Sequence, residues 1–387
     1  MTARRLSILG ATGSIGRSTL DLVQRHPDRF AVQALTASTR VDELAAAVIR
    51  TGARVAAIAD ARRADTLAAR LAGHGVEILA GPEGVLEAAR RPADWTMAAI
   101  VGAAGLAPTL AAAERGGILA LANKEALVCS GPLLLDAAAR AGTRLLPVDS
   151  EHNAVFQALA ERDVADLRRL VLTASGGPFR AASLEEMAAA TPAMAVAHPK
   201  WSMGAKISVD SATMMNKGLE LIEAHLLFAV PEAKLAALIH PQSLVHGIVE
   251  FTDGSQVATL GPTDMRVPIA HTLAWPERLP LVDQRLDLAS CGALEFAEPD
   301  ERRFPALRVA RDALRAGGGA PTILNAANEV AVGAFLAERL GFLDIVAVVE
   351  STLERMTTPA PTSVAAVVAL DSEARAVAMD RCRDAAR

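Results

Sequence analysis

The chain has 387 residues, of which 51% are hydrophobic and 21% charged, so intrinsic disorder is excluded and two or three domains can bury large cores. The net charge of -5 and the isoelectric point near 6.0 give no overall basic field, which argues against nucleic acid as the main partner. These values leave room for a local anion-binding site.

The cysteines and the apolar stretches predict a soluble protein of a reducing cytoplasm. Cys129, Cys291 and Cys382 are odd in number and lack Cys-x-x-Cys spacing, so neither a disulfide framework nor a thiolate metal site is expected. The first apolar stretch breaks at Gly10, before a signal-peptide core could form. Charged residues interrupt the alanine-rich stretches well short of the roughly 20 apolar residues of a membrane span. We therefore expect neither export nor a membrane partner.

The first 149 residues alternate buried strands with helices. Predicted strands lie at 6–9, 31–36, 55–59, 98–101, 118–122 and 145–148, and predicted helices at 18–24 and 41–50. Strands that alternate with helices in this way form parallel sheets. We expect an α/β fold that begins with a Rossmann-like, doubly wound domain over residues 1–149.

The chain changes character after residue 149. Strands of a second sheet are predicted at 170–173, 238–240, 245–251 and 256–260, with a hairpin turn at Asp253-Gly254. A proline-rich stretch at 276–305 reads as a linker, and helices are predicted at 306–316, 323–339 and 343–356, with Thr322 as an N-cap. The expected division is therefore a central α/β (α+β) domain at 150–275, this linker, and a helical domain at 306–387.

A glycine-rich turn follows the first strand. Gly10, Gly13 and Gly16 form G-x-x-G-x-x-G between a strand and a helix, where backbone N–H groups can hold a pyrophosphate. The second strand ends in Ser38-Thr39-Arg40 instead of the acidic residue typical of NAD sites. We therefore expect NADP, with Arg40 binding the 2′-phosphate. The alternatives are a turn without a ligand and a solvated Arg40.

Three carboxylates and a lysine lie in two segments that suit a metal ion and an anionic ligand. If the strand 145–148 continues, Asp149 and Glu151 point to one face, and repel each other unless a cation lies between them. Lys217 and Glu220, at i and i+3, share a helical face. An ion pair at a strand end and a solvated helix face are the alternatives.

Further polar segments could bind a phosphorylated substrate. Ser175-Gly176-Gly177 follows a strand, which is the pattern of an anion-binding loop. Ser211, Asn216 and Lys217 could converge with Ser175 on one phosphate, although ordinary helix capping would explain them too. Asn123-Lys124-Glu125 ends a strand at the edge where open α/β sheets bind ligands, with helix capping again as the alternative.

The segment Thr191–Ile207 predicts a lid. It combines His198, Lys200, Trp201 and Lys206 with little periodicity, and such a loop can close over an anionic substrate and exclude water. A plain surface loop is the alternative. Two remaining groups are interpreted as structural: the histidines 152, 240, 246 and 271, and the residues 325–329, which are expected to cap helices within the last domain.

Together these segments resemble one family, the 1-deoxy-D-xylulose 5-phosphate reductoisomerases of the non-mevalonate isoprenoid pathway. The resemblance covers essentially the whole chain. The matching motifs lie at 12–16, 122–125, 147–153, 175–179, 198–204, 214–220, 239–243 and 324–329. One motif departs from the family, because many members have Gly-Lys-Asn where this chain has Ser38-Thr39-Arg40. Arg40 would have to replace the family's lysine from one position further on.

The resemblance implies a homodimeric enzyme that uses NADPH and a divalent Mg or Mn ion to rearrange and reduce 1-deoxy-D-xylulose 5-phosphate to 2-C-methyl-D-erythritol 4-phosphate. The implied metal ligands are Asp149, Glu151 and Glu220, and these three with Lys124 and His198 are the implied catalytic set. The implied substrate contacts are Lys124, Ser150, Glu151, Ser175, His198, Ser211, Asn216, Lys217 and Glu220. The expected NADPH contacts are Thr12, Gly13, Ser14, Ile15, Ser38, Arg40, Asn123, Glu125 and Gly204.

Two other functions stay open at this point. A metal-assisted NADP-dependent dehydrogenase of another phosphorylated polyol would interconvert alcohol and ketone without rearranging carbon. A catalytically silent NADP-binding regulatory protein would show no metal-dependent turnover. The intact carboxylates of Asp149, Glu151 and Glu220 argue against the silent protein.

Overall fold

A computed structural model of the chain describes residues 3–160, 162, 164–198, 201, 204–281, 285–357 and 359–385. Contacts between Cα atoms group the chain into two compact units. Unit 1 comprises Met1–Ala126, Gly131–Asn153 and Asp264–Asp283, and unit 2 comprises Leu127–Ser130, Ala154–Thr263 and Gln284–Arg387. The domain boundaries expected from the sequence stay a prediction.

Unit 1 is built on a sheet whose strands, within the described residues, follow the order β4-β3-β2-β1-β5-β6-β7. The strands are β1 (Arg4–Leu9), β2 (Phe30–Ala37), β3 (Val55–Ile58), β4 (Glu77–Ala80), β5 (Trp95–Ala98), β6 (Ile118–Leu121) and β7 (Arg144–Pro147). Every neighbouring pair is parallel. All residues of β3 and β5 are buried, as expected for a sheet covered on both faces. The predicted parallel α/β sheet is confirmed.

Two strands of this sheet differ from the sequence prediction. The strand predicted at 98–101 lies instead at Trp95–Ala98, where Trp95 pairs with Leu6 and its buried indole N–H donates to the Thr272 carbonyl at 3.0 Å. The sequence does not predict β4, because this edge strand is partly exposed and lacks a run of buried residues.

The helices of both units follow in chain order. They are α1 (Ser14–Arg25), α2 (Val41–Thr51), α3 (Ala64–Arg70), α4 (Gly81–Arg90), α5 (Leu106–Ala113), α6 (Lys124–Ala141), α7 (Ser150–Leu159), α8 (Leu184–Ala188), α9 (Pro192–Val196), α10 (Ala205–Thr213), α11 (Met215–Phe228), α12 (Arg266–Ala274), α13 (Ala306–Ala316), α14 (Ala320–Leu336), α15 (Asp344–Arg355) and α16 (Val364–Ala385). Among the described residues, none of these helices is both long and apolar enough to cross a membrane.

The helix α12 belongs to unit 1 although more than 100 residues separate it from the last strand of the sheet. Its apolar residues Ile269 and Leu273 are fully buried in the core of that unit. The Arg4 guanidinium on β1 donates to the Leu273 carbonyl at 2.6 Å. A segment from late in the chain therefore completes the core of the first sheet.

Unit 2 contains a mixed sheet in the order β11-β10-β8-β9. Its strands are β8 (Leu167–Ala174), β9 (Leu235–Ile239), β10 (Val245–Phe251) and β11 (Gln256–Leu260). β8 and β9 are parallel, whereas β10 is antiparallel to both β8 and β11. The hairpin turns at Gly254, which has φ +87°, as the Asp-Gly pair predicts. The second sheet is confirmed.

The helices α13 to α16 follow the proline-rich stretch. Between α12 and α13 the described residues form no helix or strand beyond a bridge that pairs Ala297 with Ile239. The prediction of Thr322 as an N-cap is wrong, because α14 already begins at Ala320 beside Pro321. The Thr322 hydroxyl lies inside the helix and donates to the Cys129 carbonyl at 3.0 Å.

Candidate functional site

The glycine-rich turn of unit 1 packs too closely for larger residues. A Cβ on Gly16 would lie 2.3 Å from the Gly10 carbonyl oxygen, and one on Gly10 would lie 2.5 Å from the Ala99 carbonyl oxygen. The turn ends at Gly13, and α1 begins at Ser14 without a side-chain cap. A helix N-terminus offers N–H groups and a positive dipole end, so the geometry at residues 12–15 is compatible with an anion.

Two arginines meet beside this turn at the end of β2. The guanidinium groups of Arg17 and Arg40 both donate to the Thr12 carbonyl, at 2.6 and 3.1 Å, and both lie 3.5 Å from the Glu43 carboxylate. Ser38 is exposed on the same loop. Sequence reasoning missed Arg17. A cation in the first turn of a helix, where the dipole disfavours it, is the signal that could have found it.

The residues Asn123, Lys124 and Glu125 stand at the carboxyl end of β6. The Asn123 side chain caps α6 by accepting from the Ala126 N–H at 2.9 Å, and its amide donates to the Ile100 carbonyl at 2.5 Å. Glu125 is buried. The Lys124 ammonium reaches the neighbouring strand end and donates to the Asp149 carboxylate at 3.0 Å. Asn123 is thus a cap, while Lys124 joins two strand ends.

The carboxylates of Asp149 and Glu151 do not extend a strand, so that part of the sequence prediction is wrong. β7 ends at Pro147 and α7 begins at Ser150. Asp149 lies at the helix start, where its side chain accepts from the Glu151 N–H at 3.3 Å. The Ser150 hydroxyl donates to the Glu151 carboxylate at 2.5 Å. A tight strand-to-helix turn therefore presents these polar groups at the carboxyl edge of the sheet.

In unit 2, Ser175 and His198 form a hydrogen-bonded pair after β8. The His198 Nε2 lies 2.9 Å from the Ser175 hydroxyl, and its Nδ1 accepts from the Trp201 N–H at 2.9 Å. The proton of a neutral His198 is therefore on Nε2, which donates to Ser175. Burial lowers the pKa of His198, so that the ring is neutral at pH 7.

The glycine turn after Ser175 packs on α10. The Gly177 N–H donates to the Ser175 hydroxyl at 3.1 Å, and a Cβ on Gly177 would lie 2.8 Å from the Ser211 carbonyl oxygen. Gly177 also has φ +68°, which favours glycine. The sequence candidates Ser175 and Ser211 therefore lie on two segments in direct backbone contact. Gly204, the candidate cofactor contact, is the exposed N-cap of α10.

The start of α11 carries Asn216, Lys217 and Glu220. The Glu220 carboxylate accepts from both the Asn216 amide and the Lys217 ammonium, and Lys217 and Glu220 are nearly fully buried. The i, i+3 face predicted from the sequence is present. Glu220 is therefore a buried carboxylate whose charge is compensated from its own helix.

The structure describes only part of the predicted lid, residues 191–207. Pro199, Lys200, Ser202 and Met203 lie outside the described residues. The rest of the segment includes α9 and the first residues of α10. The Trp201 ring lies 6.3 Å from the His246 ring, centroid to centroid.

The residues 325–329 do not cap a helix end, because all of them lie inside α14. Within this stretch the Asn325 side-chain amide donates a hydrogen bond to the Glu329 carboxylate at 3.2 Å. The Glu329 carboxylate also accepts from Arg375 on α16 at 2.5 Å. The Asn328 amide donates to the Asp210 carboxylate on α10 at 2.7 Å. The capping interpretation is therefore wrong, and α14 is tied to two other helices.

The four histidines interpreted as structural all have polar neighbours. His152 Nδ1 lies 3.5 Å from the Asp149 carboxylate. The other three lie near the Glu295 carbonyl (His240, 2.8 Å), the Gly261 carbonyl (His246, 3.2 Å) and the Asn153 amide (His271, 3.1 Å).

A parallel sheet with a glycine turn after its first strand and a helix start without a side-chain cap defines a Rossmann-like, dinucleotide-binding protein. Three family matches cover most of the chain. Residues 6–131 match 1-deoxy-D-xylulose 5-phosphate reductoisomerase, residues 145–228 its C-terminal domain, and residues 260–377 the DXP reductoisomerase C-terminal domain. The chain belongs to the 1-deoxy-D-xylulose 5-phosphate reductoisomerase family.

Individual relatives cover nearly the full length. The reductoisomerase of Zymomonas mobilis is 54% identical over 372 residues, 96% of each chain, and that of Caulobacter vibrioides is 55% identical over 383 residues, 97% of this chain and 96% of the relative. The solved Zymomonas mobilis enzyme in complex with NADPH has a TM-score of 0.94 at 52% identity and covers 98% of this chain and 99% of that chain. A DOX-P reductoisomerase in complex with NADPH, fosmidomycin and magnesium has a TM-score of 0.92 at 42% identity, with 98% of each chain covered.

Proposed function

We propose that this protein catalyses the NADPH-dependent rearrangement and reduction of 1-deoxy-D-xylulose 5-phosphate to 2-C-methyl-D-erythritol 4-phosphate. The observation that carries the proposal is the full-length similarity to reductoisomerases, at 54% identity over 96% of the chain. The geometry of the candidate residues supports it: a glycine turn leads into a helix start without a side-chain cap, polar groups gather at a strand-to-helix turn, and a glycine turn follows Ser175.

The residues proposed to hold the divalent ion are Asp149, Glu151 and Glu220. Their carboxylate oxygens are the hard donors that Mg²⁺ and Mn²⁺ prefer, and no thiolate or imidazole belongs to the set. Asp149 and Glu220 each accept from a lysine ammonium, so both carboxylates stand where a positive charge is held. The donor set therefore fits the ion.

The ion would polarise the ketone and lower the pKa of the neighbouring hydroxyl, while NADPH would supply the hydride. The residues of the chain bind and orient the substrate. Lys124 and Ser150, which stand beside the carboxylates of Asp149 and Glu151, are proposed to donate to the substrate's oxygens. Two donors that hold the substrate's oxygens at the same time orient its reacting atoms and lower the entropic part of the activation barrier.

The substrate phosphate is proposed to bind in unit 2 to Ser175, His198, Ser211, Asn216 and Lys217. The Ser175 hydroxyl accepts from the His198 Nε2–H and the Gly177 N–H, so its own O–H can donate to the phosphate. Lys217 supplies the positive charge. Its ammonium is buried beside Glu220, and charge-assisted bonds are strongest in such a site.

NADPH is proposed to lie along the carboxyl edge of the first sheet. The proposed contacts are Thr12, Gly13, Ser14 and Ile15 at the pyrophosphate, and Ser38 and Arg40 at the 2′-phosphate. Asn123, Glu125 and Gly204 are proposed as further NADPH contacts. The uncapped start of α1 supports the pyrophosphate position.

The deciding experiment is incubation with 1-deoxy-D-xylulose 5-phosphate, NADPH and Mn²⁺, followed by NMR of the product's carbon skeleton. The branched skeleton of methylerythritol phosphate is expected. Reduction to an unbranched polyol would identify a dehydrogenase instead. NADPH binding without metal-dependent turnover would indicate a regulatory protein.

We further propose a cytoplasmic homodimer, which the family resemblance supports. Multi-angle light scattering is expected to give twice the chain mass of 40.3 kDa. A mass of one chain, or recovery of the protein outside the cytoplasmic fraction, would contradict these two assignments.

A further inference from the structure

Asp210 is a buried carboxylate shared between two helices of unit 2. Only 1% of this residue is exposed. One carboxylate oxygen accepts from the Asn328 amide of α14 at 2.7 Å, and the other lies 2.9 Å from the Lys206 ammonium, one turn earlier on α10. Asn328 itself is fully buried. The hydrogen bond spans 118 residues of sequence and contributes nothing to either helix alone.

The helix α10 needs such a link. It has nine residues, and its N-cap Gly204 offers no side-chain hydrogen bond, so tertiary contacts must hold it in place. Its last turn carries Ser211 and supports the turn after Ser175, since a Cβ on Gly177 would lie 2.8 Å from the Ser211 carbonyl oxygen. Any rotation of α10 therefore moves both serines.

We propose that Asn328 is a positioning residue for phosphate binding: through Asp210 it fixes the rotation of α10, and thereby the placement of Ser211 and of the Ser175 turn. The proposal rests on the phosphate grip assigned above. Loss of the amide leaves a buried carboxylate short of a donor, which is costly enough for α10 to shift. A displacement of about 1 Å at a binding group can lower activity by roughly 100-fold.

The test compares Asn328→Leu with Asn325→Leu. Both asparagines are buried on α14, but the Asn325 amide bonds only within its own helix, to Glu329. Asn325→Leu therefore controls for the loss of a buried amide. Five quantities are measured for each variant: the affinity for inorganic phosphate by ³¹P NMR, the KM and the kcat for the substrate, the affinity for NADPH, and the midpoint of urea unfolding.

We expect Asn328→Leu to weaken phosphate binding and raise KM by roughly tenfold or more, with NADPH affinity unchanged and Asn325→Leu within about twofold of wild type. The exchange Asp210→Asn with Asn328→Asp keeps a hydrogen bond between the helices and is expected to recover most of the phosphate affinity. If Asn328→Leu fails to fold, Asn328→Ala and Asn325→Ala, which add no atoms, replace the pair.

Equal phosphate affinity in the Asn328 and Asn325 variants would overturn the proposal, as would a change confined to the urea midpoint. Wild-type protein that binds phosphate but does not convert the substrate would refute the proposed function alone. The phosphate titration would still decide the role of Asn328, because it requires no turnover.

Discussion

Glu220 offers the sharpest single-residue test of the proposed metal site. It is 1% exposed, and Glu220→Gln keeps its shape while removing the charge that an ion needs. Because a divalent ion contributes several kcal/mol to the transition state, turnover should fall by roughly 100-fold or more, with weaker Mn²⁺ binding and unchanged NADPH affinity. Mn²⁺ titration and steady-state kinetics measure these effects.

The control for Glu220→Gln is Glu250→Gln. Glu250 is also buried, and it pairs with Arg168 and Arg169 on the second sheet, so its loss affects stability without touching the proposed ligands. Wild-type Mn²⁺ affinity in Glu220→Gln would remove Glu220 from the metal set.

Arg40 is expected to determine the preference of the enzyme for NADPH over NADH. A charge-assisted bond to the 2′-phosphate is worth roughly 1.5 to 3 kcal/mol, so Arg40→Ala should narrow the preference for NADPH by about tenfold or more. The measurement is the ratio of kcat/KM for the two cofactors. Arg17→Ala is expected to act in the same direction, because both arginines share the Thr12 carbonyl.

Arg50, an exposed arginine in the last turn of α2, supplies the control for the cofactor ratio. Its substitution by Ala should leave the ratio unchanged. A ratio equal to that of wild type in both Arg40→Ala and Arg17→Ala would mean that another group binds the 2′-phosphate.

At the scale of elements, His271 makes the packing of α12 sensitive to pH. Burial, and then the charge of Arg278, lower the pKa of His271 to about 4, and its Nδ1 lies 3.1 Å from the Asn153 amide. Between about pH 4 and pH 6.5 the unfolded chain binds a proton that the folded chain does not, so stability rises with pH across this window.

His271→Gln should reduce the slope of the unfolding free energy against pH, by an amount that corresponds to at most one bound proton. Urea unfolding between pH 4.5 and pH 7.5 measures this slope. The stabilising contribution is fully present above about pH 6.5 and is lost as pH falls. Parallel pH profiles for wild type and variant would show that His271 does not titrate in this way.

The surroundings of Trp201 are expected to change when the substrate or a phosphonate mimic of it binds. Trp201 would gain apolar contacts on closure, which would also exclude water from the reacting groups. In a Trp95→Phe, Trp275→Phe background, Trp201 emission should shift on ligand addition. An unchanged spectrum together with normal turnover of Trp201→Ala would identify an ordinary surface loop.

The elements that the sequence predicts best are those with one unambiguous pattern. β10 is buried along its whole length, and four of its seven residues are Val, Ile or Phe. Such a strand-forming segment followed by Asp-Gly predicts a hairpin without a competing interpretation. β4, with both its end residues exposed, carries no such run. The strand prediction fails at Asp149 because the apolar run at 145–148 does not mark where β7 ends. Asp149 caps a helix there instead of extending the strand.

For the whole molecule, the division into two compact units implies that bound NADPH protects the backbone amides of the two units from hydrogen exchange to different extents. NADPH at about 100 times its Kd stabilises the bound state by about 2.7 kcal/mol, and hydrogen exchange should slow most in β1, α1 and β2. The hairpin of β10 and β11 should change least. Uniform protection of all strands would contradict the placement of NADPH on the first sheet.

The candidate site was predictable only where its members lie close together in sequence. Lys217 and Glu220 share a turn, so their spacing is informative. Asn328 and Asp210 are 118 residues apart, and no spacing rule links them. The same holds for Arg17 and Arg40, which meet only because β2 returns beside the glycine turn. Tertiary contacts of this kind are set by the fold.

The late position of α12 has a consequence for synthesis on the ribosome. The sheet of unit 1 is complete at residue 147, yet Ile269 and Leu273 are made more than 100 residues later. At about 5 to 20 residues per second, the nascent sheet waits roughly 6 to 25 s with the apolar surface under Ile269 and Leu273 uncovered. A fragment that ends before α12 would keep that surface exposed permanently, so we expect it to require chaperones and to aggregate when expressed alone.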